Sequence, residues 1–325
     1  MPGPPTRPRS VRVDAPARLH LGVLDLRRGG GRWFGGLGVA VARPRVRVVA
    51  RPAGELEVSG LRSGLARELA SRQLARLPDG AGAAIRVEEA VPPHVGLGSG
   101  TQLALAVGRA LDLLHGRERP ADELARGLGR GDRSAVGTWL FDRGGFVLEG
   151  GRRRDGDALA PLLCRFGLPE SWRAVLVRPP APEGLSGERE ADAFDRLPTP
   201  DDRIAERVAH LVLMELLPAV ATGDLEAFGR AAEEVERATG EAFSPAQGGR
   251  RFAHARVARA VELLREAGAA GVGQSSWGPT AYGFVEGEDD ARRAAEALRD
   301  ERPGWDVRSV RLENRGWRQR TEIEG

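Results

Sequence analysis

"VPPHVGLGSGTQLALAVGRAL", Val91 to Leu111, sets three glycines, a serine and a threonine between a Pro-Pro pair and a long apolar run. The run carries apolar residues at 103, 105, 107, 110, 111 and 114, and this spacing predicts a helix from Thr101 to His115. The first turn of a helix leaves backbone N–H groups unpaired, and the helix dipole adds partial positive charge there. Gly96, Gly98 and Gly100 have no side chain to keep a ligand off the backbone, while Ser99, Thr101 and Gln102 add polar groups. Such a loop suits a phosphate or a diphosphate. It equally suits a tight strand-to-helix turn capped by Thr101, and spacing alone does not separate the two. It is not a Walker loop: GxxxxGK[ST] is absent and the chain has no lysine at all.

Working outward, "AAIRVEEAVP" before the loop alternates as a strand, and "SGLARELASRQLARL" before that has helical spacing. "VRVDAPARLHLGVLDL" (Val11 to Leu26) alternates around Pro16, which suggests a strand, a break and a second strand. "GLGVAVARPRVRVVA" alternates again. After the loop, "PADELARGL" starts a helix and "GGFVLEGG" is a short strand. From Trp172 the pattern resets. "WRAVLVRPP" is a strand and "APEGLSGEREADAF" a loop entering a charged helix. Helices follow over Asp201–Thr222, Asp224–Thr239 and Phe252–Ala267. "GVGQSSWGPTAYGFVEG" is strand-loop-strand, "DDARRAAEALRD" a helix, and "WDVRSVRLEN" a closing strand. The irregular alternation predicts an α+β protein in two lobes.

The 325 residues are 41% hydrophobic and 29% charged, as in a folded globular chain. All 49 basic residues are arginine, and the net charge is only +3. Because arginine keeps its proton, a small surplus drags the isoelectric point up to about 10.1. That value is therefore poor evidence for a nucleic-acid partner, and none is expected. The single cysteine, Cys164, excludes an internal disulfide and a cysteine-based metal site, and reads as buried packing. No apolar run reaches the roughly 18 residues of a membrane span. "MPGPPTRPRS" lacks the apolar stretch of a signal peptide and reads as a flexible tail, so a cytoplasmic location and no membrane partner are expected.

Three stretches together resemble the motifs of the GHMP kinase superfamily. Pro92-Pro93 followed by "GLGSGTQ" is similar to its second motif, "APARLHLGVLD" (Ala15 to Asp25) to its first, and "GVGQSSWGPTAYGF" (Gly271 to Phe284) to its third. The resemblance implies a two-lobed GHMP kinase-like fold. Its N-lobe, over residues 1–165, would be ribosomal protein S5 domain 2-like; its C-lobe, over 166–325, would be ferredoxin-like. Kinases of the superfamily commonly place an aspartate base seven residues before a Gly-Gly pair. Counting back from Gly144-Gly145 lands on Gly137, with Asp132 and Asp142 out of register. The details "FGGLGVA", "RSAVGTWLFDRGGFVLEGG" and "PEGLSGEREADAF" more closely resemble a non-kinase branch, the beta-ribofuranosylaminobenzene 5'-phosphate synthase family. That resemblance implies a homodimeric enzyme of methanopterin synthesis. It would join 5-phosphoribosyl 1-diphosphate to 4-aminobenzoate or 4-hydroxybenzoate with Mg2+, releasing CO2 and diphosphate. The rival readings are an ATP-dependent small-molecule kinase and a ligand-binding regulator without catalysis.

Several residues carry paired readings. Arg18 and His20 share one strand face, as substrate contacts or as an exposed arginine and a core histidine. Asp25 orients His20 or a sugar hydroxyl, or merely ends the strand. Gln274, Ser275, Ser276, Trp277, Gly278 and Thr280 form a polar glycine-flanked loop, in which Trp277 stacks on an aromatic acid or plugs the lobes. Trp33 and Phe34 cover a site or anchor a hairpin. Arg133 or Arg143 meets a carboxylate or phosphate, with Ser134 beside it. Ser186 and Glu188 sit on a candidate lid between glycines 184 and 187, which otherwise is a solvent loop. The stripe Val208, Leu211, Val212, Glu215, Leu216 is core or a dimer face.

Overall fold

The computed structural model describes residues 8–27, 30–78, 80–156, 158–185, 187–199 and 201–323. Two long antiparallel strands, β1 (Pro8–Asp25) and β2 (Arg32–Arg51), form the spine of the first sheet. Val11, Val13, Ala15, Ala17, Leu19 and Leu21 put one face of β1 wholly into the core, as the period of two requires. The break expected at Pro16 is not there. The strand runs through, and its register against β2 slips between Pro16 and Ala17, where residues 42–44 of β2 bulge out of the pairing. A slip is where a residue without an N–H costs the ladder least. Residues 8–10 are also strand, where the sequence suggested tail; the rest of that stretch, 1–7, lies outside the described residues.

Strand β3 (Leu56–Gly60), helix α1 (Ser63–Leu74) and strand β4 (Ala83–Glu89) form a parallel crossover beside β2. Helix α2 (Ser99–Leu114) then runs through the middle of the lobe, buried on nearly every side. Next come α3 (Ala121–Gly127), α4 (Val136–Arg143) and the strands β5 (Phe146–Glu149), β6 (Arg152–Arg153) and β7 (Leu162–Phe166), which extend the sheet from the other half of β2.

The second sheet is fully antiparallel. It contains β8 (Trp172–Arg178), β9 (Ala270–Gln274), β10 (Ala281–Glu286) and β11 (Asp306–Arg311), in spatial order β11-β8-β10-β9. With helices in both crossovers this is the ferredoxin-like order. Between β8 and β9 lie α5 (Gly187–Arg196), α6 (Asp202–Leu211), a π-helical turn (Val212–Leu216), α7 (Leu217–Thr222), α8 (Leu225–Phe243) and α9 (Ala255–Glu266). Helix α10 (Glu288–Glu301) joins β10 to β11. The 208–216 stripe is core: Val208, Leu211, Val212 and Leu216 are buried, and Glu215 points out.

Trp172, Ala174 and Leu176 on one face of β8 join Phe228, Tyr282 and Phe284 in a core continuous with the first sheet. Val175 and Val177 on the other face pack with α9 and α10. The last strand, β12 (Arg318–Ile323), leaves the second sheet and pairs with β1 from Pro8↔Ile323 to Asp14↔Arg318. The division at 165/166 is thus crossed by the end of the chain.

Candidate active site

The three motifs, far apart in the chain, meet at the glycine loop. Arg18 on β1 donates its backbone N–H to the Leu97 carbonyl (3.2 Å) and its Nη1 to the Gly96 carbonyl (2.7 Å). Ser275 Oγ donates to that same carbonyl (2.7 Å) and accepts the backbone N–H of His20 (3.0 Å). Thr280 Oγ1 donates to the Val95 carbonyl (2.6 Å), and Gly184 N–H to the His94 carbonyl (2.9 Å). Two of the loop glycines serve this stacking rather than ligand access. A Cβ on Gly96 would run into the Ser275 carbonyl, and one on Gly98 would lie 2.7 Å from Arg18 Cγ. Both hold φ near +80° and +74°, where glycine is the natural choice. Gly100 is the glycine with room beside it, its nearest neighbour being Arg130 Nη1 at 3.6 Å.

Two cavities adjoin the loop. The first is an open groove of about 410 Å³, lined by Ser99, Gly100 and Thr101 of the α2 N-terminus together with Arg62, Arg130 and Arg133. Arg62 Nη1 and Arg130 Nε are buried without a hydrogen-bond partner. Burial lowers both guanidinium pKa values, and for Arg130 the neighbouring Arg72 and Arg62 lower it further against the pull of Glu68. Under-neutralised cations beside a helix N-terminus are an arrangement for an anion. Glu190 is not available to neutralise them. It pairs with Arg133 (2.9 Å) and accepts from Trp277 Nε1 (3.1 Å).

The second cavity is an inner chamber of about 70 Å³ that shares Arg18, Arg133, Ser134, Glu190, Ser276 and Trp277 with the groove. Its walls are aromatic. Phe243 and Trp277 stack at 4.1 Å, and Phe194 meets both edge-on as well as Phe34. Glu190 and Phe194 stand four residues apart, one turn of α5, and so present together. Glu236, Thr239, Gly240 and Phe243 do the same from α8.

Where groove and chamber join, His20 Nε2 lies 3.3 Å from Ser134 Oγ. Ser134 donates to Glu149, which also accepts the N–H groups of Ala135 (3.3 Å) and Gly151 (2.7 Å). Burial pushes the Glu149 carboxyl up to about 7 against those hydrogen bonds. Burial, with the Arg18 charge adding to it, pulls His20 down to about 3, so the imidazole is neutral at ordinary pH. Burial also lowers Arg18 to about 10, partly offset by Glu190, and leaves it charged at neutral pH.

Arg18, His20, Arg133, Ser134, Gln274, Ser276 and Trp277 therefore line one or both cavities, with Ser275 and Thr280 holding the loop behind them and Gly278 at the groove. Other residues singled out by the sequence stand elsewhere. Asp25 lines neither cavity; Arg27 occupies its carboxylate (2.7 Å), and five residues of strand put it about 16 Å along from His20. Trp33 packs under Arg152, and the neighbouring Phe34, pointing the other way, faces the chamber. Glu188 is exposed, and Glu190, a fraction of a turn on, faces in. Gln102 is fully buried and donates to the Gly137 carbonyl (2.8 Å), so it ties α2 to α4. Arg143 pairs with Asp142 in solvent. Ser186 lies outside the described residues. Cys164 is half-buried rather than sealed. Missed by sequence reasoning were Arg62 and Arg130, the phenylalanines of α5 and α8, Glu236, Arg251 and Glu149. Only Glu149 left a trace, as a lone acid ending an apolar strand.

Comparison with known proteins identifies the family. A model described as the GHMP kinases N terminal domain matches residues 63–138, and one described as GHMP kinases C terminal matches 216–303. Beta-ribofuranosylphenol 5'-phosphate synthase of Archaeoglobus fulgidus is 33% identical over 325 residues, covering 94% of this chain and 98% of the relative. The protein of the same name from Methanothermobacter thermautotrophicus is 32% identical over 295 residues, covering 84% and 88%. Among solved structures, mevalonate pyrophosphate decarboxylase from Streptococcus pyogenes superposes with a TM-score of 0.71 at 15% identity over 95% of this chain and 98% of that one, a likeness of fold. The chain is an enzyme of the beta-ribofuranosylphenol 5'-phosphate synthase family, built on the GHMP kinase fold.

Proposed function

We propose that this enzyme joins 5-phosphoribosyl 1-diphosphate to 4-hydroxybenzoate or 4-aminobenzoate, releasing CO2 and diphosphate, in methanopterin synthesis. One observation carries the reading: a cation-lined groove at a helix N-terminus opens, through Arg18 and Trp277, into a small aromatic chamber. The groove has the size and charge for the doubly phosphorylated sugar, and the aromatic walls of the chamber, which must widen from about 70 Å³ to admit it, offer faces for one planar ring. The relatives' name, a phenol bearing a ribofuranosyl 5'-phosphate, favours the hydroxy acid.

The chemistry asks for a cradle and for positioning. As the C1–O bond to diphosphate breaks, charge develops on the leaving group, and the Ser99 and Thr101 N–H and hydroxyl groups with Arg130 stabilise it. The ring carbon that bears the carboxylate attacks C1, pushed by the para substituent. Loss of CO2 returns the electron pair to the ring. No proton has to leave the attacking carbon, so a kinase-type base is unnecessary. At the position where the superfamily's kinases place one stands Gly137, packed with a would-be Cβ 3.2 Å from Thr101. Arg18, at the junction, holds the acceptor carboxylate towards the donor until it leaves, and neutral His20, its Nε2 donating to Ser134 Oγ, walls the chamber beside it.

Mg2+ fits as a companion of the donor. Among the described residues no three His, Cys, Asp or Glu side chains gather into a metal cage, and Mg2+ commonly binds through substrate phosphates with one or two carboxylates. Asp132, in the groove wall, is the carboxylate available, and the ion would supply neutralisation of diphosphate charge. The test is to mix the protein, the donor, Mg2+ and 4-hydroxybenzoate, and to assay diphosphate release and the C-riboside by mass spectrometry. Both products in equal amounts are expected; diphosphate release without the riboside would sink the reading.

A further inference from the structure

The chamber has two ends of different chemistry. One joins the groove at Arg18 and Trp277, where the carboxylated ring carbon must lie if it is to reach the sugar C1. The para substituent, diametrically opposite on the ring, then points to the other end. That end is formed by α8 and the segment after it: Glu236, Thr239, Gln247 and Arg251.

Most of the polar groups there are already committed. Thr239 Oγ1 donates to the Val235 carbonyl (3.0 Å) and accepts the Val23 N–H (3.1 Å). Gln247 Nε2 donates to the Arg251 carbonyl (2.7 Å), and its Oε1 accepts from Gln274 Nε2 (3.1 Å). Gln274 gives its second donor to the Ser276 carbonyl (2.9 Å) and takes the Ala253 N–H (2.8 Å). Two groups are different. Arg251 Nε is a buried donor without a partner, and Glu236 keeps acceptor capacity. Glu236 is 4% exposed, its Oε2 pairs with Arg251, and its Oε1 has only a long contact from the Gln274 N–H (3.4 Å). Beside it the buried Tyr282 hydroxyl has no partner. A buried carboxylate oxygen with spare acceptor capacity is the natural receiver for an O–H or N–H donor.

We infer that Glu236, steadied by Arg251, reads the para hydroxyl or amino group of the benzoate acceptor and takes its proton during the reaction. The inference rests on the phosphoribosyl-transfer reading above. As the ring carbon's electron pair forms the bond to C1 and diphosphate departs, the para oxygen becomes a carbonyl and its proton passes to Glu236. When the C–CO2 bond breaks, that electron pair restores the aromatic ring, and the oxygen recovers the proton from Glu236. The cycle closes with no other reagent. The same carboxylate accepts from an amino group, so the pocket selects donors at the para position without distinguishing oxygen from nitrogen. Acceptors with no donor there are rejected because they leave the carboxylate desolvated and unanswered.

The test begins with the unmodified enzyme. Binding of 4-hydroxybenzoate and of 4-fluorobenzoate, of similar shape but no donor, is measured by titration calorimetry with the phosphoribosyl donor's product diphosphate present. A preference of roughly 10- to 100-fold for the hydroxy acid is expected, the effect of a hydrogen bond to a charged group. Equal binding would overturn the proposal. The second arm uses Glu236→Gln, which keeps an acceptor oxygen but is no base. Its KM for 4-hydroxybenzoate should rise only roughly 5- to 10-fold, as a charged acceptor becomes a neutral one, while kcat falls by roughly 100-fold, in line with the loss of a general base. A kcat within a few-fold of wild type would refute the proton step. If the unmodified enzyme turns over neither acid with the donor, the phosphoribosyl-transfer reading fails, and this inference with it. If it turns them over but ignores the para group, this inference alone falls.

Discussion

At the residue scale, activity turns on which side chains touch what. Ser99 and Thr101 are assigned to the leaving diphosphate because they open α2 at the groove floor. The Ser99→Ala plus Thr101→Val variant should raise KM for the phosphoribosyl donor roughly 10- to 100-fold, since hydrogen bonds to charged groups are lost. Its melting temperature should stay close to wild type. Glu149 gives a pH test. Its carboxyl ionises near 4.5 in the unfolded chain and at about 7 in the folded one. Between those values the native protein keeps a proton that the unfolded chain releases, so stability falls as pH rises through that window and no further above it. The loss is at most about 3 kcal/mol, and Glu149→Gln does not incur it. Urea denaturation at pH 5 and pH 8 should show the variant gaining on the wild type at the higher pH; an unchanged gap would count against a buried, proton-holding Glu149. Of the residues singled out in the sequence, Arg18, His20, Phe34, Arg133 and Trp277 line the cavities, whereas Asp25, Trp33 and Glu188 do not, because only the register of the strand and the phase of the helix decide which neighbour faces in.

At the element scale, what matters is that three loops share backbone contacts. Gly96 is the tightest point, with φ near +80° and no room for a Cβ against Ser275. Gly96→Ala should lower stability by about 2–4 kcal/mol, through a strained backbone and a displaced third motif, and should raise KM for both substrates together. Calorimetry and steady-state kinetics check both effects. Glycine in "GLGSG" was legible as a special backbone; what it makes room for was not, since Ser275 is distant in sequence. Helices α2, α8, α9 and α10 were legible from their apolar spacing. Strand β12 was not, because all six of its residues are exposed and carry no alternation of apolar character.

At the scale of the whole molecule, the C-terminal segment closes the structure. Trp317 stacks on Phe141 and covers the guanidinium of Arg109 at 4.5 Å, a cation only 2% exposed whose Nε and Nη1 have no hydrogen-bond partner. Trp317→Ala should cost about 1–3 kcal/mol and speed hydrogen exchange in residues 8–14, which pair with β12, while leaving KM for the donor unchanged. The two-lobed fold itself was legible, because strands and helices change pattern at Trp172. The return of the chain to the first sheet could not be read from a polar tail. The central claim, that a phosphate-binding fold here expels diphosphate from a sugar rather than transferring a phosphoryl group, has one direct test. The protein is incubated with Mg2+ and 4-hydroxybenzoate labelled in the carboxylate carbon, with the phosphoribosyl donor or with ATP. Labelled CO2 released with the donor and absent with ATP is the expected result; ADP formed from ATP, with the label kept in the benzoate, would contradict it.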